Sequence, residues 1–253
     1  MTYFIDKTDA RICLLAQKLI KQGKQVLTLE KGVKINPYDC LIFSPAKKFE
    51  NEFLNNIPNN IKLVCGALND EQIKIIQNKN ITYKNLMNDE IFAIKNANLT
   101  AEGVLAIILE KSPKSITKNN VLILGGGRIA LALAVIFNKL GVKFGLVSYN
   151  KEKFPKYYLY TDKCYYKDSF IKDLKQYDVV INTIPKKIID DENLLYFLED
   201  CLFIETASID CLDKNKVTTF NYIKAPALPS KYCVETASDY IFDAILGEND
   251  YEN

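Results

Sequence analysis

Val121-Leu122-Ile123-Leu124-Gly125-Gly126-Gly127-Arg128-Ile129-Ala130 is the stretch on which the fold turns. Its apolar opening predicts a buried strand, and three glycines follow at once. The spacing fits G-x-G-x-x-G/A, with Gly125, Gly127 and Ala130 in the small positions. A helical pattern continues over 127–140, Gly141 closes it, and a second strand is predicted over 143–148. A whole strand–turn–helix–strand unit is therefore present, which an isolated glycine pattern would lack. In such a unit Gly125 permits the tight turn, and Gly127 lets backbone approach a pyrophosphate. Ala130 allows close packing of helix on strand, while the helix N-terminus offers its N–H groups to the anion. Arg128 and Ile129 open the helix, and Arg128 is placed to clamp the pyrophosphate. The plainer alternatives are a glycine turn that binds nothing and an arginine that is merely solvated.

Working outward, the second strand ends Leu146-Val-Ser148-Tyr149-Asn150-Lys151. An NAD site places Asp or Glu near this point, roughly 20 residues past the glycines, to accept from the ribose hydroxyls. Here the tip carries a hydroxyl (Ser148), an amide (Asn150) and an ammonium (Lys151), which suit a 2′-phosphate. NADP is favoured over NAD, although Glu152 argues the other way. Asp178-Val-Val-Ile-Asn182-Thr183-Ile184-Pro185 predicts a further buried strand. It would place Asn182, Thr183 and Ile184 at the carboxyl edge beside ribose and nicotinamide, unless it is an ordinary strand-ending turn.

The rest of the chain keeps the same rhythm. Strands are predicted at 3–5, 25–29, 40–43, 61–65 and 81–83, with helices at 10–21, stopped by Gly23, and 70–77. Thr100 is predicted to cap a helix running to about Lys111, and Pro113 with 114–120 forms a break. Strands at 202–206 and 220–223 and a helix over 235–246 follow, before a tail, 248–253, that reads as disordered. The fold class is α/β: two doubly wound parallel-sheet domains, the second a Rossmann NAD(P)-binding domain. Their predicted extents are 1–98 and 99–253, the second entered through a linker helix, with the C-terminal helix free to pack on either.

Composition narrows the chemistry. The 253 residues carry 33 Lys+Arg against 31 Asp+Glu, a net charge of +2, which argues against a dedicated nucleic-acid binder. There is no histidine, which excludes a Ser-His-Asp triad and every imidazole metal site, and no metal is expected. Only Arg11 and Arg128 are arginine. The seven scattered cysteines contain no C-x-x-C pair, and no signal peptide is legible, so a cytoplasmic protein with reduced thiols is expected. The most apolar window, 129–137, is far short of the ~20 residues of a membrane span.

Particular segments resemble a known family. Asp9-Ala-Arg11, Asn85-Leu-Met87, Phe92-Ala-Ile94, Thr100-Ala-Glu-Gly103, the Gly125 turn, Ile181-Asn-Thr-Ile-Pro185, Leu228-Pro-Ser-Lys231 and Glu235-Thr-Ala-Ser238 are similar to the dipicolinate synthase A-subunit family. Ser230 and Ser238 stand where that family carries glycine, and Val234 where it carries proline. The resemblance implies substrate held in a cleft between two α/β domains, and oxidation of dihydrodipicolinate to dipicolinate with hydride transfer to NADP, in the setting of sporulation. It also implies a flavoprotein-like second subunit; a homo-oligomer is a further expectation, with neither nucleic acid nor membrane as partner. The small dicarboxylate substrate suits Arg11, whose alternative is a structural salt bridge. Thr100 and Ser44 are further substrate-side candidates. Lys231 and Glu102 are the candidate catalytic residues, with a carboxylate-binding role also open to Lys231.

Aromatising a dihydropyridine ring needs positioning, a hydride acceptor and somewhere for a proton to go, which a chain without histidine can supply. One alternative is a shikimate- or 2-hydroxyacid-dehydrogenase-like enzyme with Lys231 as base. Another is a non-catalytic NADP-binding subunit, in keeping with Ser230 and Ser238.

Overall fold

The computed structural model describes residues 1–247, the side chain of Lys153 excepted; the tail expected to be disordered lies outside the described residues. Two compact units are present: Met1–Asn96 together with the segment from Pro229 onward, and Ala97–Leu228.

The first unit is built on five parallel strands, β1 (Tyr3–Ile5), β2 (Val26–Thr28), β3 (Cys40–Ile42), β4 (Lys62–Cys65) and β5 (Thr82–Asn85), in the order β2-β1-β3-β4-β5. Alternate residues face opposite sides. Tyr3, Ile5, Cys40, Ile42 and Val64 pack beneath α1 (Ala10–Lys21), while Phe4, Leu41, Leu63 and Cys65 pack with residues of α2 (Asn51–Asn56) and α3 (Asp70–Asn78). Helix α1 forms because Ile12, Leu15, Ala16 and Leu19 make one apolar face; the Asp9 side chain caps its start. Gly23, at φ +72°, follows its end. A reciprocal Asn69–Gln72 capping box starts α3. The six-residue α2 was not expected, being too short to show a period.

Helix α4 (Glu90–Lys111) corrects the expected linker: it opens ten residues before Thr100. Asp89 Oδ1 accepts from Phe92 N at 3.0 Å, so Asp89 starts the helix and Thr100 is a buried residue of its middle turns. The polar alternation Asn96-Ala-Asn98-Leu-Thr100 had imitated a boundary. This 22-residue helix is apolar and long enough to cross a membrane, with a mean hydropathy of 1.4 in its best window, a length that the 129–137 window understated; 56% of the helix window is buried inside the protein.

The second unit carries β6 (Asn120–Leu124), β7 (Lys143–Ser148), β8 (Cys164–Tyr166), β9 (Val179–Asn182), β10 (Leu202–Glu205) and β11 (Asn221–Lys224), all parallel, in the order β11-β10-β9-β6-β7-β8. Two three-stranded halves therefore wind outward from the β6–β9 pair, the doubly wound order of dinucleotide-binding folds. One face buries Val121, Ile123, Leu146 and Ile181 with Leu133 and Phe137 of α5 (Arg128–Leu140) and with Ala101, Val104 and Ile108 of α4. The other buries Leu122, Leu124, Val180 and Phe203 against Phe170, Leu174, Phe197 and Phe220. Two elements were absent from the sequence reading: β8 and the one-turn helix α6 (Phe154–Tyr157), both too short to carry a period.

Helix α7 (Val234–Leu246) packs on α1, burying Ile241 and Ala244 beside Leu15 and Leu19. Lys18 pairs with Asp239 across this contact. The C-terminal helix thus belongs to the first unit, one of the two placements left open by the sequence.

Candidate functional site

Parallel strands bring all their carboxyl ends to one edge. In register, Lys224, Glu205, Asn182, Leu124 and Val147 lie side by side across β11, β10, β9, β6 and β7, and Ser148 lies opposite Tyr166 of β8. The β6–β9 reversal of winding falls at the Gly125 turn. A crevice at that place is where open α/β sheets take their ligands.

Gly125 adopts φ +131°, and a Cβ there would sit 2.0 Å from Thr183 Oγ1. Thr183 is held in place by donating its hydroxyl to Leu124 O at 2.9 Å. The expected tight turn is therefore enforced from the neighbouring strand end. Gly126 is covered by Ser148, whose Oγ would lie 2.7 Å from a Cβ. Gly127 has nothing within 4 Å of where a Cβ would project, and it begins α5 with no side chain capping the helix. Gly127 thus leaves open space at the start of α5, as a pyrophosphate cradle needs. Ala130 is fully buried against the sheet, Ile129 packs on the same core, and Arg128 is exposed as the first residue of α5.

The polar candidates around this cradle prove to be largely engaged by the protein itself. Ser148 Oγ donates to Asn150 O at 3.0 Å and accepts from Asn150 N, while Asn150 Oδ1 accepts from Glu152 N at 2.8 Å. Both side chains shape the turn after β7: Ser148 spends its hydroxyl proton there, and Asn150 its Oδ1. Lys151 remains, its Nζ 4.7 Å from the centre of the Tyr166 ring. Asn182, expected beside ribose and nicotinamide, is completely buried: its Nδ2 donates to Glu205 Oε1 at 2.8 Å and Oε2 at 3.0 Å and to Ile184 O at 3.0 Å. Its Oδ1 accepts from Ile184 N. It shapes the Thr183-Ile184-Pro185 loop from inside.

Glu205 was missed, although an acid ending the strand Leu-Phe-Ile-Glu is its visible signal. Fully buried, it also accepts from Ala207 N and Cys211 N at 2.9 Å each. Burial pushes its carboxyl up, and the donors from Cys211, Asn182 and Ala207 offset this only in part. One carboxylate thus ties together the loops leaving β9 and β10.

In the first unit the order β2-β1-β3-β4-β5 reverses at β1–β3. Arg11 and Ser44 lie there, joined by Nη2 donating to Ser44 Oγ at 3.0 Å. Arg11 is only 3% exposed and grips Asp9 with both sides of its fork, Nε to Oδ1 at 3.0 Å and Nη2 to Oδ2 at 2.7 Å. Burial opposes the Asp9 charge, but the bonds and charge of Arg11 prevail and hold its carboxyl below the usual range. The guanidinium expected to meet a substrate carboxylate meets one of the chain's own. Lys231 is exposed just after the 3-10 turn Leu228–Ser230, and Glu102 is exposed on α4 two residues beyond Thr100. Among the described residues no group of three or more Cys, Asp or Glu is arranged to hold a metal ion.

No family model matches the chain. The A-subunit of dipicolinate synthase from Bacillus subtilis (strain 168) is 22% identical over 231 residues, 88% of this chain and 69% of that protein. The crystal structure of the dipicolinate synthase A-subunit from Bacillus halodurans superposes with a TM-score of 0.82 at 20% identity, covering 97% of this chain and 96% of the other. The corresponding crystal structure from Bacillus subtilis gives 0.80 at 18%, covering 97% and 94%. L-alanine dehydrogenase gives 0.67 at 12%, covering 98% and 88%, so that protein shares the fold. In sequence over most of its length, and in fold over nearly all of it, this chain resembles the dipicolinate synthase A-subunit family.

Proposed function

We propose that the chain is an NADP-dependent oxidoreductase that oxidises dihydrodipicolinate to dipicolinate. The observation that carries the cofactor half is the cradle at the β6–β9 reversal, where Gly127 stands open at an uncapped α5 while Gly125 is pressed against Thr183. The bound nicotinamide supplies a hydride acceptor; Gly125, Gly127 and Arg128 would hold its pyrophosphate, and Thr183 and Ile184 would border its ribose. The substrate half rests on the resemblance to proteins named as the A-subunit of dipicolinate synthase. Aromatisation removes one hydride and one proton from the ring. We assign the proton to Lys231 or Glu102, and the ring carboxylates to Arg11, Ser44 and Thr100. A second subunit is the expected partner, and seven free thiols, three of them buried and pushed up to about 12 (Cys40, Cys65, Cys201), suit a reducing compartment.

One observation favours a second reading, a nucleotide-binding subunit without its own turnover: the Arg11 charge is already met by Asp9. Titration with NADPH and NADH, followed by dihydrodipicolinate generated in situ with and without the second subunit, separates the two. Formation of NADPH on substrate addition supports the enzyme. Binding without turnover in either condition transfers the weight to the second reading, and failure to bind either nucleotide sinks both.

A further inference from the structure

Lys151, Lys167 and Lys186 lie at the carboxyl edge of the second sheet. Lys187 and Lys216 share Asp191, and Lys224 meets Asp210. None of the three forms a salt bridge among the described residues; each lies over an aromatic ring instead. Lys151 Nζ is 4.7 Å and Lys167 Nζ 5.2 Å from the centre of the same Tyr166 ring, and Lys186 Nζ is 4.7 Å from that of Tyr149. The nearby Asp168 carboxylate accepts the Tyr149 hydroxyl at 2.7 Å and forms no salt bridge with these lysines. Because Ser148 lies opposite Tyr166, the chain leaving β7 and the chain leaving β8 emerge together, next to the Gly125 turn.

Two ammonium groups share one ring, and an exposed cation–ring contact holds each of them only weakly. Lys167 also holds φ +50°, a left-handed conformation unfavourable for a residue other than glycine. A left-handed backbone and two ammonium groups without a salt bridge among the described residues therefore coincide at one strand end. A phosphomonoester, at about −1.5 to −2 charge, carries the charge that two ammonium groups call for. A dinucleotide with its pyrophosphate at the start of α5 directs its adenosine ribose towards the end of the next strand, here β7.

We infer that the Lys151–Tyr166–Lys167 corner binds the 2′-phosphate of the adenosine ribose and so decides between phosphorylated and unphosphorylated dinucleotide. This rests on the dinucleotide reading above, but it gives the selectivity to β8, where the expectation had put it on the tip of β7 alone.

The test is titration of the full chain with NADPH and with NADH, comparing the native protein with Lys167→Gln, with Lys151→Gln/Lys167→Gln and with the control Lys163→Gln, whose ammonium lies over Tyr177 at the opposite edge. NADPH affinity is expected to fall about tenfold in the single variant and about a hundredfold in the double, with NADH within twofold and the control unchanged. NADH weakening in step with NADPH overturns the inference, as does an unchanged NADPH-to-NADH ratio in the double variant. Equal binding of both nucleotides by the native protein overturns it too, while leaving the dinucleotide reading intact. Binding of neither overturns that reading and this inference with it.

Discussion

Both sheets reverse their winding, and at both reversals a helix begins just beyond a strand end, yet the two helix starts are treated in opposite ways. In the first unit Asp9 caps α1, and its carboxylate is gripped by Arg11. Asp6 beside it pairs with Lys47 at 2.9 Å. In the second unit α5 has no side-chain cap, Gly127 leaves space, and three lysines at the same edge lack a salt bridge among the described residues. The first edge supplies its own anion where the second leaves room for one. The difference shows that topology nominates a ligand edge, while the local charge balance decides whether it is already satisfied.

Breaking the self-sufficient edge should have the largest effect. Arg11→Ala strands a buried carboxylate and should cost about 3–5 kcal/mol in denaturant unfolding, with much of the loss recovered in Asp9→Ala/Arg11→Ala. NADPH affinity should be untouched; a parallel loss would contradict the separation of the two edges. On the open edge, Gly125→Ala meets Thr183 and forces a left-handed alanine, a loss of about 1–3 kcal/mol from overpacking alone. Nucleotide binding should fall with it.

Gly127→Ala sharpens the contrast, since its Cβ enters space empty of protein. Thermal unfolding should move by less than about 1 kcal/mol while NADPH affinity drops at least about tenfold, or about 1.4 kcal/mol. A variant that binds normally would remove Gly127 from the cradle.

Acid titration of stability should separate the two units by sign. The Asp9 carboxyl is depressed in the folded state, so its contribution is full above the unfolded carboxylate range near ~4 and is lost as pH falls through the folded value. Glu205 is raised, so the folded state binds its proton more tightly, and its charge costs stability as pH climbs from ~4 through the raised value. Asp9→Asn should flatten the acid limb of the unfolding free energy, whereas Glu205→Gln should flatten the decline above it. Identical pH profiles for the two variants would refute the assignment. The smallest effect belongs to the α1–α7 contact, where Lys18→Ala, breaking a partly exposed pair with Asp239, should cost less than about 1 kcal/mol and less still in high salt.

Much of this molecule was legible as text because its signals are local. Continuous apolar runs in Tyr3–Ile5 and within Asn120–Leu124, a helical period in Ala10–Lys21 and Arg128–Leu140, and glycines at 23 and 141 act within a few residues of themselves. So does the spacing of Gly125, Gly127 and Ala130, which put a tight glycine turn between β6 and α5. What the text left open depends on partners distant in the chain. Asn182 looks like a ligand-facing amide until Glu205, a strand away, claims it; Arg11 looks available until Ser44 and the turn at Asp9 enclose it. The helix start at Asp89 was hidden by a more conspicuous polar run at 96–100, and α7 chose the first unit through the apolar face it shares with α1. Charge pairing and shared apolar faces are properties of proximity. Pattern along the chain can state which groups are present, and only the folded arrangement states which of them are already satisfied.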